Sequence, residues 1–127
     1  MAIDENLREQ LSGDYTGLAA YEYIANNIGE IDDILPDLVD IIIEVDSNGQ
    51  FVVSTARYLH AIDSERYAAS ISELVKAAIE KDRERNYLGD LIASIYGNDY
   101  KERAEELSAQ DDNFRRIYKR LYPIMGI

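Results

Sequence analysis

Four acidic side chains recur at helical spacing in the first half of the sequence. They follow one another at intervals of four, three and four residues, which places their carboxylates along one side of an α-helix. The four residues are Asp33, Asp37, Asp40 and Glu44. Such a stripe suits a basic protein partner, or it imitates the phosphate spacing of a nucleic-acid duplex. The pattern is also typical of the solvated face of an amphipathic helix, which is the interpretation that the spacing alone favours.

A second charged pattern, of opposite sign, lies near the C-terminus. Four cations share one face of a predicted helix, and apolar side chains face away from it. The cations are Arg115, Arg116, Lys119 and Arg120. This basic face could contact nucleic acid or an acidic partner. Because acid is in excess elsewhere, we expect instead that these cations form surface ion pairs with the acidic half and complement the C-terminal end of their own helix.

Part of the sequence between residues 44 and 55 matches a calcium-binding loop. The matching positions 1, 3, 5 and 6 are held by Glu44, Asp46, Asn48 and Gly49. Thr55 occupies position 12, where calcium needs a bidentate glutamate, so the sequence favours a plain glycine-containing connection. The chain has no cysteine and a single histidine, which excludes the usual zinc sites. We therefore predict no metal and no cofactor.

The single histidine, His60, is the best candidate for a general base. Asp63 lies three residues later on the same predicted helix and could orient the imidazole. The chain contains no GxSxG, GxxxxGK or HExxH motif. The sequence therefore favours a structural or surface role for His60, and we expect no catalytic residues and no enzymatic activity.

The charge is large and unevenly distributed along the 127 residues. The chain holds 25 acidic and 13 basic side chains, a formal net charge of −12. Residues 1–63 contain 13 acidic and two basic side chains, for a net charge of −11, whereas residues 64–127 carry a net charge of −1. An acidic chain is a poor ligand for phosphate backbones, so direct nucleic-acid binding by the protein as a whole is not expected.

The elements that carry these residues are predicted to be helices. Apolar residues recur every three or four positions through most of the chain, and the only two prolines are Pro36 and Pro123. The predicted ranges are 15–28, 33–46, 50–62, 64–83, 87–96, 99–109 and 112–122, with a weaker helix near 3–11. We predict a single all-α domain over residues 1–127, a compact bundle of about five to seven short helices. No internal repeat is evident.

The segment 41–55 also permits another interpretation. It is rich in β-branched residues around Asn48-Gly49, which is a hairpin signal. Its apolar residues occur in runs rather than in alternation, and an isolated hairpin among helices is marginally stable. We favour helix–turn–helix, and an α+β fold with one small hairpin stays as the alternative.

Taken with the missing catalytic motifs, the charge distribution predicts an acidic interaction protein that binds another protein, and its acidity favours a basic partner. We expect a bacterial or mobile-element accessory factor. The alternatives are an acidic mimic of DNA that inhibits a nucleic-acid enzyme, and a small hydrolase with a carboxylate or histidine site.

The sequence shows no signal peptide and no apolar stretch long enough for a bilayer, so we expect a cytoplasmic protein without membrane contact. Its oligomeric state stays open.

Overall fold

The chain folds into helices throughout the part that the structure describes. The structure is a computed structural model and describes residues 3–123. These residues form eight α-helices and no β-strand. The helices are α1 (Glu5–Ser12), α2 (Leu18–Asn26), α3 (Leu35–Val45), α4 (Gln50–Asp63), α5 (Ala68–Lys81), α6 (Leu88–Tyr96), α7 (Ala104–Gln110) and α8 (Asp112–Leu121). The all-helical prediction is confirmed. The count exceeds the predicted five to seven because the weak pattern near residues 3–11 does form a helix, α1.

The ambiguous segment 41–55 is a helix–turn–helix, as favoured from the sequence. Helix α3 ends at Val45, and α4 begins at Gln50 after a four-residue turn. The neighbouring residues Ile41 and Ile42 are both buried. In a strand these two would point to opposite faces, whereas the broad apolar face of a buried helix accommodates both. The hairpin alternative is therefore wrong for this segment.

The helices pack in two layers. In one layer, α2, α4, α6 and α8 contact one another in chain order, and in the other, α1, α3 and α5 do the same. The layers are joined most extensively where α4 packs against α5, and α7 packs against α8. Successive elements thus stack on their predecessors, as in helical solenoids, in which each unit mainly contacts its neighbours.

The three loops that precede α2, α4 and α6 share one design. Each begins with an aspartate whose side-chain oxygens accept backbone N–H groups of the following turn and helix. The aspartates are Asp14, Asp46 and Asp82. Three residues after each of them, at Gly17, Gly49 and Arg85, the backbone has a positive φ, of 93°, 91° and 61° respectively. This is an internal repeat that the sequence analysis did not detect.

The three loops also pack on one another. A Cβ atom on Gly17 would lie 3.3 Å from Cβ of Asp46, and a Cβ atom on Gly49 would lie 3.2 Å from Cβ of Asp82. The side chain of Lys81 donates a hydrogen bond of 2.7 Å to the carbonyl of Asp46. Glycine is therefore favoured at these two positions both by its backbone conformation and by the close approach of the next loop.

Helices α6 and α8 pack around a cluster of aromatic rings. Phe114 of α8 is fully buried, and its ring centroid lies 5.0 Å from that of Tyr96 and 5.5 Å from that of Tyr118. Tyr100 joins the cluster from the turns at 98–103, which the sequence analysis assigned to a helix beginning at 99. Helix α7 begins only at Ala104, because the preceding residues form turns that place Tyr100 against α8.

Candidate functional site

The four predicted acidic residues are not equivalent in the structure. Asp33 lies in the turn before α3, and Asp40 and Glu44 lie on α3; all three are exposed. Asp37 is half-buried, and its Oδ2 accepts a hydrogen bond of 3.2 Å from the backbone N–H of Ile3. Asp37 therefore holds the N-terminal segment against α3, and it leaves three of the predicted four carboxylates available at the surface.

Helix α1 adds further acid to the same layer. It packs against α3, and its residues Glu5 and Glu9 are exposed. We define the acidic surface as Glu5, Glu9, Asp33, Asp40 and Glu44. None of these five carboxylates forms an ion pair within residues 3–123. The surface thus keeps its negative charge, and a positively charged ligand would be attracted to it.

The predicted basic face does not neutralise the acidic half. Arg115 pairs with Asp112 on its own helix, and Arg116, Lys119 and Arg120 form no ion pair with another described residue. Helix α8 packs against α5, α6 and α7, and α5 lies between α8 and α3. The expected ion pairs with the acidic half are therefore absent from this part of the chain, because the two charged helices are not neighbours.

Instead, three of these cations of α8 line a cleft together with a residue from the loop between α5 and α6. The cleft has a volume of about 500 Å³ and is lined by Arg85, Arg116, Lys119 and Arg120, with Ile79 and Pro123 as apolar residues. We call it the basic cleft. An Nη1 of Arg85 lies 3.4 Å from the carbonyl oxygen of Arg120, and an Nη1 of Arg120 lies 3.4 Å from the carbonyl oxygen of Asp82. The α5–α6 loop and α8 thus hold each other in place.

Arg85 was not predicted to be a member of this group. Arg85 belongs to a mixed charged run, and about 30 residues separate it from the cations of α8. The sequence feature that could have identified Arg85 is its position three residues after Asp82. The two preceding loops carry glycine at the equivalent position. A non-glycine residue with positive φ is a position that merits a functional explanation.

The loop that partly matches a calcium site uses its carboxylate for another purpose. Asp46 is 1% exposed, and its two oxygens accept the backbone N–H groups of Asn48, Gly49, Phe51 and Val52 at 2.8–3.1 Å. The hydroxyl of Thr55 donates to the carbonyl of Phe51. Among residues 3–123 no group of three or more His, Asp or Glu side chains is placed to hold a metal ion.

His60 does not form the arrangement that a general base needs. It is half-buried between two cavities of about 470 and 300 Å³, and it makes no hydrogen bond within the described residues. The predicted partner Asp63 accepts the backbone N–H of Arg66 instead.

In the smaller cavity the hydroxyl of Tyr96 donates to Asp111 at 2.9 Å. Burial, and then the nearby Asp111 carboxylate, hold the pKa of Tyr96 well above its ordinary value, so this hydroxyl stays protonated.

Comparison with known proteins adds no family to these observations. The chain matches no protein-family model, no curated protein sequence and no solved structure. None of the helices within residues 3–123 combines the length and the apolar character needed to cross a membrane.

Proposed function

We propose that this chain is a non-enzymatic protein-binding module that docks a basic protein partner on its acidic surface. The observation that carries the proposal is the acidic surface itself: five exposed carboxylates on α1, α3 and the preceding turn, none of them neutralised by a cation of the described chain. Such charges repel one another in the free protein, and a basic partner relieves that repulsion. We propose that the protein acts as a cytoplasmic accessory factor of a bacterium or of a mobile genetic element.

The stacked helices suit this role. Solenoid-like stacks expose side chains from several consecutive elements on one extended surface, which gives a partner many contact points on a rigid support. In this chain the acidic residues lie on two adjacent helices of one layer and on the turn before α3. Little ordering is needed at the surface when the partner binds, so less binding energy is lost.

The two alternatives receive less support. A mimic of DNA needs free carboxylates in a regular row, but Asp37, the second member of the predicted row, is engaged with the backbone of Ile3. A hydrolase needs convergent groups that activate one another. His60 has no orienting hydrogen bond among the described residues, and Tyr96 and Asp111 are bonded to each other.

A capture experiment with two charge-matched variants tests this proposal. The acidic-surface variant carries Asp33→Asn, Asp40→Asn and Glu44→Gln. The control variant carries Glu65→Gln, Glu102→Gln and Glu105→Gln, three exposed acids of the second half that form no ion pair with a described residue. Each variant loses three negative charges, so a difference between them reports the position of the charge and not its total.

Each protein is immobilised and exposed to lysate of the native host, and the retained proteins are quantified by mass spectrometry. We expect one basic protein to be retained by the wild type and by the control variant, and to be lost from the acidic-surface variant. If all three forms retain the same proteins equally, or if the retained partner is acidic, the proposed docking surface is wrong.

A further inference from the structure

We propose that the basic cleft binds a small ligand that carries two or more phosphate groups. This site is separate from the acidic surface, and its ligand has the opposite charge. Four cations line the cleft: Arg85 from the α5–α6 loop, and Arg116, Lys119 and Arg120 from α8. No carboxylate lines it within the described chain. In a protein with 25 acidic side chains, an open surface site that gathers four cations and no acid attracts anions.

The cations are supplied by two elements that fix each other. Arg85 and Arg120 each direct one guanidinium N–H towards a backbone carbonyl of the opposite element, at 3.4 Å. A guanidinium group has five N–H donors, so most of its capacity for hydrogen bonds is left for a ligand. Arg116 and Lys119 make no side-chain hydrogen bond and no ion pair with other described residues. Phosphate oxygens are the acceptors that such a group of donors fits best.

The backbone at Arg85 is a second, independent observation. Its φ of 61° is the left-handed conformation that glycine adopts at the equivalent positions of the two preceding loops, Gly17 and Gly49. Glycine adopts this conformation without steric cost, whereas a side chain there is strained. The third loop therefore carries arginine where glycine would fit better, and the strained residue is the one that completes the cleft.

The dimensions and the surroundings favour a small ligand over a long polyanion. The site is an open depression of about 500 Å³, which has room for a small anion that stays partly in contact with solvent. The four cations are confined to one site rather than spread along an extended stripe, which favours a short anion over a nucleic-acid strand. Several cations in one cleft can neutralise more than one phosphate, so a diphosphate should bind better than a single phosphate.

Calorimetric titration of the purified chain at low salt tests the proposal. The probes are inorganic phosphate, pyrophosphate, adenosine diphosphate and a single-stranded oligonucleotide. We expect saturable binding of pyrophosphate and of adenosine diphosphate, both tighter than inorganic phosphate. A clear advantage of adenosine diphosphate over pyrophosphate identifies the ligand as a nucleotide, and equal affinity identifies it as a polyphosphate; either result supports the site.

Three variants assign the binding to the cleft. Arg116→Gln with Lys119→Gln should weaken pyrophosphate binding by about tenfold or more, because charge-assisted hydrogen bonds are lost. The control, Arg8→Gln with Lys76→Gln, removes two cations outside the cleft and should leave the affinity unchanged. Arg85→Gly should weaken binding without lowering the melting temperature, because glycine relieves the strained backbone.

The site is contradicted if neither diphosphate gives saturable binding, or if the cleft variants bind as tightly as the control. Tighter binding of the oligonucleotide than of either diphosphate would also overturn the proposal, because the ligand would then be a nucleic acid. If the double variant of α8 fails to fold, Arg85→Gly still decides the question, since it changes the cleft and relaxes the backbone at once.

Discussion

At the scale of single residues, the stacked loops depend on carboxylates that replace missing helical hydrogen bonds. Asp46 and Asp82 are 1% and 2% exposed. A buried carboxylate is costly unless its charge is compensated by hydrogen bonds. Asp46 accepts four backbone N–H groups and Asp82 accepts three, all from the turn or the first residues of the next helix. The backbone N–H groups at the starts of α4 and α6 thus stabilise the buried carboxylates of Asp46 and Asp82. In return, these carboxylates satisfy N–H groups that have no partner within the helix.

Replacement of Asp46 by alanine should be strongly destabilising. Four N–H groups lose their acceptor, and two of the bonds are buried. We expect the free energy of unfolding to fall by about 3 kcal/mol, from the lost cap and the unsatisfied donors. Urea denaturation measures this change. Asp40→Ala, which removes one exposed carboxylate from α3, should change stability by less than about 0.5 kcal/mol. Equal effects would show that the buried carboxylate does not hold the loop.

Two glycines allow the stability cost of backbone strain to be distinguished from the cost of disturbing close packing. Gly29 and Gly49 have nearly the same φ, 90° and 91°, but a Cβ on Gly29 meets nothing within 4 Å, whereas one on Gly49 lies 3.2 Å from Cβ of Asp82. Gly29→Ala should therefore cost only the strain of the left-handed conformation, roughly 1–2 kcal/mol. Gly49→Ala should cost at least about 1 kcal/mol more, because the loop of Asp82 must move. Identical losses in urea denaturation would show that the two loops are not tightly packed.

At the scale of elements, the C-terminal helices are joined by tyrosine hydroxyls at the edge of an aromatic cluster. Asp111 caps α8 by accepting the backbone N–H of Phe114, and it also accepts the hydroxyl of Tyr96 from α6. Tyr100 and Tyr122 share a hydrogen bond of 2.8 Å between their hydroxyls. One carboxylate therefore connects the start of α8 with the end of α6, and the tyrosine pair connects the turns before α7 with the end of α8.

These contacts predict a loss of stability at alkaline pH. Burial, the largest cause in both cases, raises the pKa of Tyr100 to about 12 and holds the pKa of Tyr96 far above 10. In the unfolded chain tyrosine titrates at about 10. The folded protein thus keeps protons that the unfolded chain releases, so the stabilisation is complete below pH 10 and declines as the pH rises above it. The hydrogen bond that it shares with Tyr100 lowers the pKa of Tyr122, and this change acts in the opposite direction.

The variant Tyr96→Phe isolates the contribution of Tyr96. It keeps a ring against Phe114 and removes the ionisable hydroxyl. Urea denaturation at several values from about pH 8 to pH 11 should show a decline for the wild type and a shallower decline for the variant. Tyr15→Phe, which alters an exposed ring, serves as the control and should follow the wild type. If Tyr96→Phe declines as steeply as the wild type, Tyr96 does not retain its proton in the folded state.

The helices could be predicted from the sequence, but their arrangement could not. Apolar spacing placed α3 and α4 within two residues of their observed starts, because each buries one face. The start of α7 was predicted at residue 99, five residues early, because sequence patterns report local preferences, whereas the burial of Tyr100 against α8 is a tertiary effect. The loop repeat was missed because its aspartates are 32 and 36 residues apart and its third member has Arg85 in place of glycine.

The candidate sites were predictable to the same limited extent. Exposed acids on α3 followed from spacing and charge alone, but the bond between Asp37 and the backbone of Ile3 depends on how α1 enters the layer. The cations of α8 were recognised as a group, whereas their separation from the acidic half and their meeting with Arg85 depend on the order of the helices. The spacing of residues in the sequence predicts which side chains share one face of a helix. Contacts between segments that are distant in the sequence can be identified only once the fold is known.

At the scale of the whole molecule, charge is separated rather than balanced. The acidic surface lies on α1, α3 and the turn before α3, and the basic cleft lies between α8 and the α5–α6 loop, with α5 between α3 and α8. Unneutralised acids at one place steer a basic partner to that place, and salt screens this attraction over roughly 10 Å at 0.1 M. The acidic-surface variant should be as stable as the wild type or slightly more stable, because it loses repulsion and no hydrogen bond between described residues.

The most direct test of the protein-binding proposal is the association rate of the captured partner at increasing ionic strength. We expect the rate to fall steeply with salt for the wild type and for the control variant with Glu65, Glu102 and Glu105 replaced. The acidic-surface variant should associate more slowly at low salt and depend only weakly on salt, since mutation of steering charges acts mainly on the association rate. If the three forms share one rate and one salt dependence, the acidic surface does not dock the partner, and the central proposal is contradicted.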